Sequence, residues 1–360
     1  MQVQRQSNIF RLSSLKIMNA DLADLFLWDT NSWPLPQIDQ VRLNLGCGEQ
    51  IIDGFVNIDF LPKTKEILRW GLLNPWPSCL ESNVEMAFSE DLLEHFFYGE
   101  QLYILCSMNV ALKERGVFRV LTPDLDKLMS YSSGFSLSRN ANDWLVRTMG
   151  ARTGGDALNL GMRFSGHRWL HNAKSLEYMA ELCGYRKVGT TCAESILPEM
   201  SRLNLRDETN SMSFANDLVK ERRIRKWQVK PTRTTNAELI EEVAPSIQLY
   251  HATNEDPQIM YILPKELAVK DIVLMNFRGT NLSQFKEHSF AKVYLRLQEE
   301  KSIYLDSTIR SSYTANILSV DQVRLKLGAE EALNMVRFDP GEKAGDYFTV
   351  GPLEIFWREN

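Results

Sequence analysis

Apolar and polar positions alternate in two different ways along the chain, and the first half has the pattern of strands separated by helices. Apolar runs that end at turn-forming residues predict strands at 41–45, 55–60, 84–88 and 116–121. Apolar residues at helical spacing predict helices at 102–112 and 173–182, the second closed by Gly184. Alternating strands and helices are typical of a mostly parallel sheet covered by helices on both faces. We therefore predict an α/β domain over 41–225.

After about residue 230 the pattern changes to short strand-like segments separated by turn formers. These segments are at 259–263, 272–277, 291–297, 302–305, 323–327, 334–338 and 353–357. Their spacing predicts an all-β sandwich over 241–360. The turn-rich segment KPTRTTNAE is interpreted as part of a linker over 226–240. Residues 1–40, with helix-like spacing at 15–27, are interpreted as a lead-in that packs on the first domain.

Composition and charge narrow the class of protein. Of the 360 residues, 44% are hydrophobic and 24% are charged, and the formal net charge is −5. These values are typical of a globular protein with a sizeable core, and they lack the basic footprint of nucleic-acid binding. A local basic run from Lys220 to Lys226 is interpreted as a solvated helix end. We therefore expect no nucleic-acid partner.

Membrane and redox signals favour the cytoplasm. No apolar run approaches the ~20 residues that span a bilayer, and the N-terminal residues lack the continuous apolar core of a secretory signal. The five cysteines are an odd, scattered set without a C-x-x-C pair, which favours free thiols in a reducing compartment. We expect a cytoplasmic protein that does not insert into membranes.

The most informative segment is VRLNLGCGEQIIDGFVNIDF, in which one strand ends in Gly46-Cys47-Gly48 and the next ends in Asp59. Glycines let a ligand approach the backbone, and an acid at a strand tip accepts hydrogen bonds from both ribose hydroxyls of a nucleoside. The dinucleotide pattern requires a third glycine, where this chain has Ile51, and an acid farther along the chain. The short connection also leaves no room for a long helix whose N-terminus would bind pyrophosphate. A ligand with a ribose but no phosphates, such as S-adenosylmethionine, fits better than NAD. The alternative is a strand–turn–strand with incidental glycines.

Three later segments follow in order: SEDLLEHF, NVALKERGVFRVLTPDLDKL and GHRWLHNAKSLEYMAELCGYRKV. Together with the glycine segment they resemble the class I, Rossmann-like methyltransferases that modify small molecules and surface glycans. The resemblance covers about 41–220 and implies that S-adenosyl-L-methionine is the cofactor. The residues that it places around the cofactor are Asn44, Gly46, Cys47, Gly48, Asp59, Phe60, Leu72, Leu73, Trp76 and Ser89. Cys47 is interpreted as a small apolar filler and not as a nucleophile.

One position departs from the pattern of this family. Its members carry an Asp-Leu pair whose acid contacts the adenine amino group, and the matching segment here has Gly71 in place of the acid. Leu72, Leu73 and Trp76 would then flank the adenine, with stacking on Trp76 in place of the acid. The same loss is expected of a non-catalytic scaffold with a degenerate cofactor site, and this alternative stays open.

The catalytic residues are predicted from the histidines. Methyl transfer from a sulfonium requires positioning, and a hydroxyl acceptor also benefits from a base. The candidates are His95, shortly after the strand at 84–88, and His167, in the segment SGHRWLH that also contains His171. The alternatives are a hydrogen-bonded histidine at a helix start and a surface loop folded over the sheet. Glu90 and Asp91 could bind magnesium, but no second acidic cluster supports them, so no metal is expected.

The C-terminal segment MVRFDPGEKAGDYFTVGPLEIFW resembles the closing strands of β-sandwich modules attached to bacterial polysaccharide-biosynthesis enzymes. This resemblance implies a carbohydrate-type acceptor and a partner enzyme of glycan biosynthesis. Tyr250, Tyr304 and Tyr313 could stack on sugar rings, although such residues are more often in the core. The sequence thus predicts an O-methyltransferase that acts on a sugar, a sugar nucleotide or a surface polysaccharide. The alternative is a glycan- or partner-binding scaffold.

Overall fold

The described residues form two compact units. The computed structural model describes residues 41–163, 166–189, 195–201, 212–244, 246–281, 289–296, 300–307, 315–320, 331–341 and 343–359. One unit, here the α/β unit, comprises 41–72 and 76–224; the other, the β unit, comprises 225–359 with Leu73–Pro75. The predicted lead-in 1–40, with its helix-like segment 15–27, lies outside the described residues. So do Cys192, Tyr313, the segment 323–327 and the side chain of Tyr304.

The α/β unit is built on one seven-stranded mixed sheet. Its strands are β1 (Val41–Leu45), β2 (Val56–Asp59), β3 (Leu68–Arg69), β4 (Val84–Glu90), β5 (Leu112–Pro123), β6 (Tyr185–Gly189) and β7 (Ser213–Lys220). The strand order is β3-β2-β1-β4-β5-β7-β6. The first five strands pair in parallel, whereas β7 is antiparallel to both β5 and β6. The sheet is therefore mostly parallel, as predicted, and its antiparallel part is formed by β6 and β7, after residue 184.

Helices connect these strands. The described helices are α1 (Tyr98–Ala111), α2 (Leu125–Ser133), α3 (Trp144–Arg147), α4 (Gly154–Arg163), α5 (Ala173–Leu182) and α6 (Pro198–Ser201). The helix predicted at 102–112 begins earlier, at Tyr98, because the Glu100 carboxylate accepts a hydrogen bond of 2.7 Å from the Phe97 amide and satisfies a free donor of the first turn. The helix α5 is followed by Gly184 at φ +79°, the left-handed conformation predicted for its end.

The β unit contains only strands and one short helical turn among its described residues. The strands are β8 (Ile224–Val229), β9 (Arg233–Thr235), β10 (Ala237–Ala244), β11 (Ile247–Ala252), β12 (Gln258–Ala268), β13 (Ile272–Asn281), β14 (Ser289–Arg296), β15 (Glu300–Ser307), β16 (Ala315–Ser319), β17 (Ala332–Asp339) and β18 (Tyr347–Arg358). One sheet has the order β10-β11-β18-β13-β16, with β8 also paired to β18; the other has the order β15-β14-β17-β12-β9.

A single hydrophobic core is shared by the two sheets of the β unit. It joins Phe277 and Leu353 of the first sheet to Ile259 and Val336 of the second. Tyr250 belongs to this core: it is buried and its ring stacks on Phe348 with an interplanar angle of 9°. The sugar-stacking role considered for Tyr250 is therefore excluded by its burial.

The segment predicted as a linker, 226–240, is instead part of the β sheets. It contains most of β8, all of β9 and the start of β10. The basic run is also not a helix end: Lys220 is the last residue of β7, and its buried ammonium group donates a hydrogen bond of 2.7 Å to the Leu112 carbonyl. Arg225, in β8, forms hydrogen bonds of 2.8 Å to Glu359. The charged residues of this segment obscure the apolar alternation that is typical of strands. They are stabilised by partners that are far away in sequence, such as Glu359 for Arg225.

The cysteines of the described residues, Cys47, Cys79, Cys106 and Cys183, are all free. Among the described residues, every helix is too short or too polar to cross a bilayer.

Candidate functional site

The strand order of the α/β unit reverses at β1, which lies between β2 and β4. From β1 the chain first adds β2 and β3 on one side and then returns to place β4 on the other. Leu45, the last residue of β1, is in register with Ile58 of β2 and with Ser89 of β4. In open α/β sheets, ligands bind outside the carboxyl ends of the strands at such a reversal. The residues that follow these strand ends therefore form the candidate site.

The turn after β1 contains two glycines with different surroundings. Gly46 and Gly48 have φ values of +62° and +56°, which favour glycine. A Cβ built on Gly48 would meet no heavy atom within 4 Å, so this glycine borders open space. A Cβ on Gly46 would overlap the side chain of Leu92. Close approach of a ligand is thus a role for Gly48, whereas Gly46 makes room for Leu92, which the sequence-based interpretation missed.

Asp59 lies at the tip of β2 and is joined to the glycine turn. Its Oδ2 accepts a hydrogen bond of 2.9 Å from the Gly48 amide, and its Oδ1 accepts one of 2.8 Å from the Leu61 amide. An ionised carboxylate can accept about four hydrogen bonds. Asp59 therefore keeps acceptor capacity for two further donors, which matches a ribose diol.

The side chain of Asn44, which was predicted to lie at the cofactor, forms hydrogen bonds within the protein. Its amide nitrogen donates to the Gln50 carbonyl at 2.8 Å and to Asn57 Oδ1 at 2.9 Å, which uses both of its hydrogens. Asn57 in turn accepts from the Ile52 amide at 2.9 Å. This buried pair of asparagines fixes the connection between β1 and β2, and Asn44 has no donor left for a ligand.

Cys47 lies between the two glycines with its side chain buried. Its amide donates to the Ile58 carbonyl at 3.0 Å. Burial, together with the negative charge of Asp59, raises the pKa of the thiol to about 11. The sulfur is therefore protonated at neutral pH and is a poor nucleophile.

The residues predicted to flank adenine are buried. Leu72, Leu73 and Trp76 all belong to the buried core, and the Trp76 indole N–H donates to the Leu72 carbonyl at 3.0 Å. With 7% of its surface exposed, Trp76 offers little area on which a base could stack. Phe60, directly after Asp59, is 39% exposed and supplies the apolar surface at the strand tip instead.

Ser89 lies in β4 at the same end of the sheet. It is completely buried, and its hydroxyl has no hydrogen-bond partner among the described residues. Buried hydroxyls are normally hydrogen-bonded, because leaving one without a partner costs free energy.

A cluster of three side chains follows β4. His95 ends the short helical turn Leu93–His95, and its ring centroid lies 5.2 Å from that of His167. Glu94 completes the cluster, and one ligand atom from each residue lies within 4.8 Å of the others. Burial, and then the neighbouring His167, lowers the pKa of His95, so its ring is neutral at pH 7. His95 and His167 were predicted as alternatives, and the fold brings them together.

Glu94 was missed by the sequence-based interpretation, which considered Glu90 and Asp91 as the acidic candidates for a metal. Neither of these belongs to the cluster. The Glu94 carboxylate accepts a hydrogen bond of 3.0 Å from the Thr122 hydroxyl, and its carbonyl accepts one of 2.7 Å from the Arg168 amide. The only local signal in the sequence was the Glu-His pair itself, which is also common at helix starts.

His171 is a structural residue. Its Nε2 lies 2.7 Å from Gln101 Oε1, and its Nδ1 lies 2.9 Å from the Ser175 hydroxyl. Burial lowers the pKa of His171 to about 4. Both ring nitrogens are occupied within the protein, so this histidine is not available as a base.

No family model matches the chain, and no curated relative matches it. Among solved structures, it is similar to a SAM dependent methyltransferase from Archaeoglobus fulgidus, at 12% identity and a TM-score of 0.30, over 50% of this chain and 86% of that one. It is also similar to the low affinity xylan binding module CBM86 from Roseburia intestinalis, at 10% identity and a TM-score of 0.27, over 38% and 96%. A third similar structure is a carbohydrate binding module of family 29, at 9% identity and a TM-score of 0.27, over 37% of this chain and 89% of that one. These values are too low to assign the chain to a family.

Proposed function

We propose that the α/β unit binds S-adenosyl-L-methionine and catalyses O-methylation of a carbohydrate: a sugar, a sugar nucleotide or a surface polysaccharide. The observation that carries this proposal is the pairing of Gly48 with Asp59 at the reversal of strand order. Gly48 borders open space, and the carboxylate of Asp59, which can accept further hydrogen bonds, is bonded to the Gly48 amide. This arrangement suits the ribose of a nucleoside.

The chemistry of the neighbouring residues fits this cofactor. The ribose would bind Asp59, and the adenine would pack on Phe60. The described residues between β1 and β2 contain no helix, so this connection offers no helix N-terminus for phosphates. That favours a ligand without phosphates over a dinucleotide. When bound, S-adenosylmethionine supplies an electrophilic methyl group on its sulfonium.

The acceptor hydroxyl would face the carboxyl ends of β4 and β5, where His95 and His167 lie. Because the pKa of His95 is lowered, its ring is neutral and can accept the proton that the hydroxyl loses during methyl transfer. The carbohydrate nature of the acceptor, and a partner enzyme of glycan biosynthesis, rest on the resemblance of the C-terminal segment.

Calorimetry on the full chain tests the proposal. S-adenosylmethionine and S-adenosylhomocysteine should each bind with one-to-one stoichiometry, and NAD should give no heat. A screen of sugars and sugar nucleotides with methyl-labelled cofactor then identifies the acceptor. Binding of NAD in preference to S-adenosylmethionine would contradict the proposal that the site takes a ligand with a ribose but no phosphates.

One observation favours a second candidate, a non-catalytic scaffold with a degenerate site. Gly71 occupies the position of the adenine-binding acid, and Trp76, the residue that would compensate, is buried. In that case the β unit would bind glycan or a partner enzyme. Absence of both heat and thermal shift with millimolar cofactor would favour this candidate and exclude the enzyme.

A further inference from the structure

We propose that Glu94, His95 and His167 form a binding site for one divalent transition-metal ion of the Zn²⁺ type. One carboxylate and two imidazoles are the donor set of several catalytic zinc sites and of non-haem iron sites. Their ligand atoms lie within 4.8 Å of one another. Tetrahedral metal–ligand bonds of about 2.0–2.2 Å place the donors about 3.4 Å apart, so the side chains would have to move toward one another when the metal binds.

Each imidazole has a hydrogen bond to the backbone, which leaves its other ring nitrogen for a metal. His167 Nδ1 lies 2.9 Å from the Gly161 carbonyl oxygen, so Nδ1 carries the proton and Nε2 has the lone pair. The His95 ring forms a hydrogen bond with the backbone of Gly166. Metal-binding histidines are characteristically oriented in this way, by donation of the second ring N–H to a backbone carbonyl or a carboxylate.

The Glu94 carboxylate, like the two imidazoles, is held in place by hydrogen bonds within the protein. Glu94 is 1% exposed, and Thr122 at the end of β5 donates a hydrogen bond of 3.0 Å to its Oε2. The Arg168 and Trp169 amides both donate to the Glu94 carbonyl, which anchors the segment that carries His167. Glu94 therefore presents its carboxylate to the two rings from a fixed position.

Three protein ligands leave at least one coordination position open, which is typical of catalytic and not of structural sites. The cluster lies after β4 and beside the end of β5, at the same edge of the sheet as Gly48 and Asp59. A metal there would bind an acceptor hydroxyl and lower its pKa, so that the hydroxyl releases its proton to solvent and His95 acts as a ligand in place of the base in the metal-free mechanism. This use of the metal rests on the proposed function, whereas metal binding itself does not.

Metal binding is tested on the full chain after treatment with a chelator. Titration with Co²⁺ should reach one equivalent and give visible d–d absorption, without the near-ultraviolet band of a Co–thiolate bond, and Zn²⁺ should displace it. His167→Ala and Glu94→Gln should each lower the metal affinity by more than about 100-fold, beyond the roughly 10–100-fold lost with a group that only orients a ligand. Glu94→Gln keeps the shape of the side chain and an acceptor for Thr122, so it preserves folding.

His251→Ala is the matched control, because His251 Nδ1 lies 3.1 Å from a Glu238 carboxylate oxygen in the β unit. A lone histidine–carboxylate pair should contribute nothing to metal binding, so the affinity of His251→Ala for Co²⁺ should equal that of the wild-type protein. Three results would each overturn the proposal: no stoichiometric Co²⁺ binding, a Co–thiolate band, or metal affinity equal to that of the wild-type protein in the folded His167→Ala and Glu94→Gln variants. Metal binding without any binding of S-adenosylmethionine would instead overturn the proposed function and leave the metal site intact.

Discussion

The Gly48 amide donates a hydrogen bond of 2.9 Å to Asp59 Oδ2, which joins the turn after β1 to the tip of β2. The second carboxylate oxygen accepts from the Leu61 amide. Asp59 therefore orders the loops on both sides of the candidate site before any ligand is present. A ribose bound there would meet a carboxylate whose orientation is already fixed, so less entropy would be lost on binding.

Asp59→Ala should lower the affinity for S-adenosylmethionine about ten-fold or more. Hydrogen bonds to a charged group are worth about 1.5–3 kcal/mol, and the substitution also releases the two amides that order the loops. Asp59→Asn, which keeps one acceptor oxygen, should lose less affinity. Isothermal calorimetry on the three proteins measures the difference.

Asp53→Ala is the control for this prediction, since Asp53 is an exposed acid of the same connection between β1 and β2. Its substitution should leave both the affinity and the melting temperature unchanged. Equal affinity in Asp59→Ala and the wild-type protein would remove Asp59 from the site.

The two glycines of the turn should respond differently to alanine. Both have positive φ, so each substitution costs about 1–2 kcal/mol of backbone strain. At Gly46 the added methyl group also overlaps Leu92, and such overpacking costs about 1–3 kcal/mol more. At Gly48 the methyl group enters open space where the ligand would lie. Gly46→Ala should therefore lower the melting temperature more, and Gly48→Ala should lower cofactor affinity more.

The double variant Gly46→Ala/Leu92→Ala separates overlap from strain, because it removes the side chain that the new methyl group meets. Relative to Leu92→Ala alone, it should be destabilised only by the strain. A Gly48→Ala variant that binds S-adenosylmethionine as tightly as the wild-type protein would show that the open space beside Gly48 is not part of the site.

Features encoded by a short segment were predicted well, and features that depend on distant partners were not. The strand β1, the glycine turn that follows it and the position of Asp59 at the tip of β2 all follow from a local pattern of apolar and glycine residues. The hydrogen bond between Asn44 and Asn57 was not predicted, because the two residues become neighbours only once β1 and β2 are paired. Glu94 was missed because His167 reaches it only through a folded-back segment. Trp76 was placed against adenine because burial cannot be deduced from one aromatic residue in a turn.

His171 should make the protein less stable as the pH falls from about 6.5 to about 4. Burial lowers the pKa of its ring from 6.5 to about 4, so in this window the unfolded chain binds a proton that the folded chain does not. Stability then rises with pH across the window, and acidification removes about 3 kcal/mol. Melting temperatures measured across this range should fall less steeply for His171→Gln than for the wild-type protein.

The slope, and not the absolute stability, is the quantity to compare, because His171→Gln also changes the contacts with Gln101 and Ser175. His251→Gln, on a more accessible histidine, controls for the loss of a histidine in general. Identical pH slopes for His171→Gln and the wild-type protein would mean that His171 does not couple protonation to folding.

Truncation after Ile224 should give a soluble fragment that still binds S-adenosylmethionine. Ile224 is buried in the α/β unit, and its amide donates to Asn109 Oδ1 at 3.0 Å, so the fragment has to include it. The rest of β8 pairs with β18 of the β unit. A fragment that ends at residue 230, the boundary suggested by sequence texture, would carry an unpaired strand edge and should aggregate more.

Light scattering and calorimetry on the two fragments and the full chain test this boundary. The fragment that ends at 224 should match the full chain in cofactor affinity but should methylate long polymers more slowly, because a second sugar site raises the effective concentration of the acceptor. Insolubility, or loss of cofactor binding, in that fragment would mean that residues after 224 are needed for the fold of the α/β unit. Full activity on every acceptor would instead exclude a targeting role for the β unit.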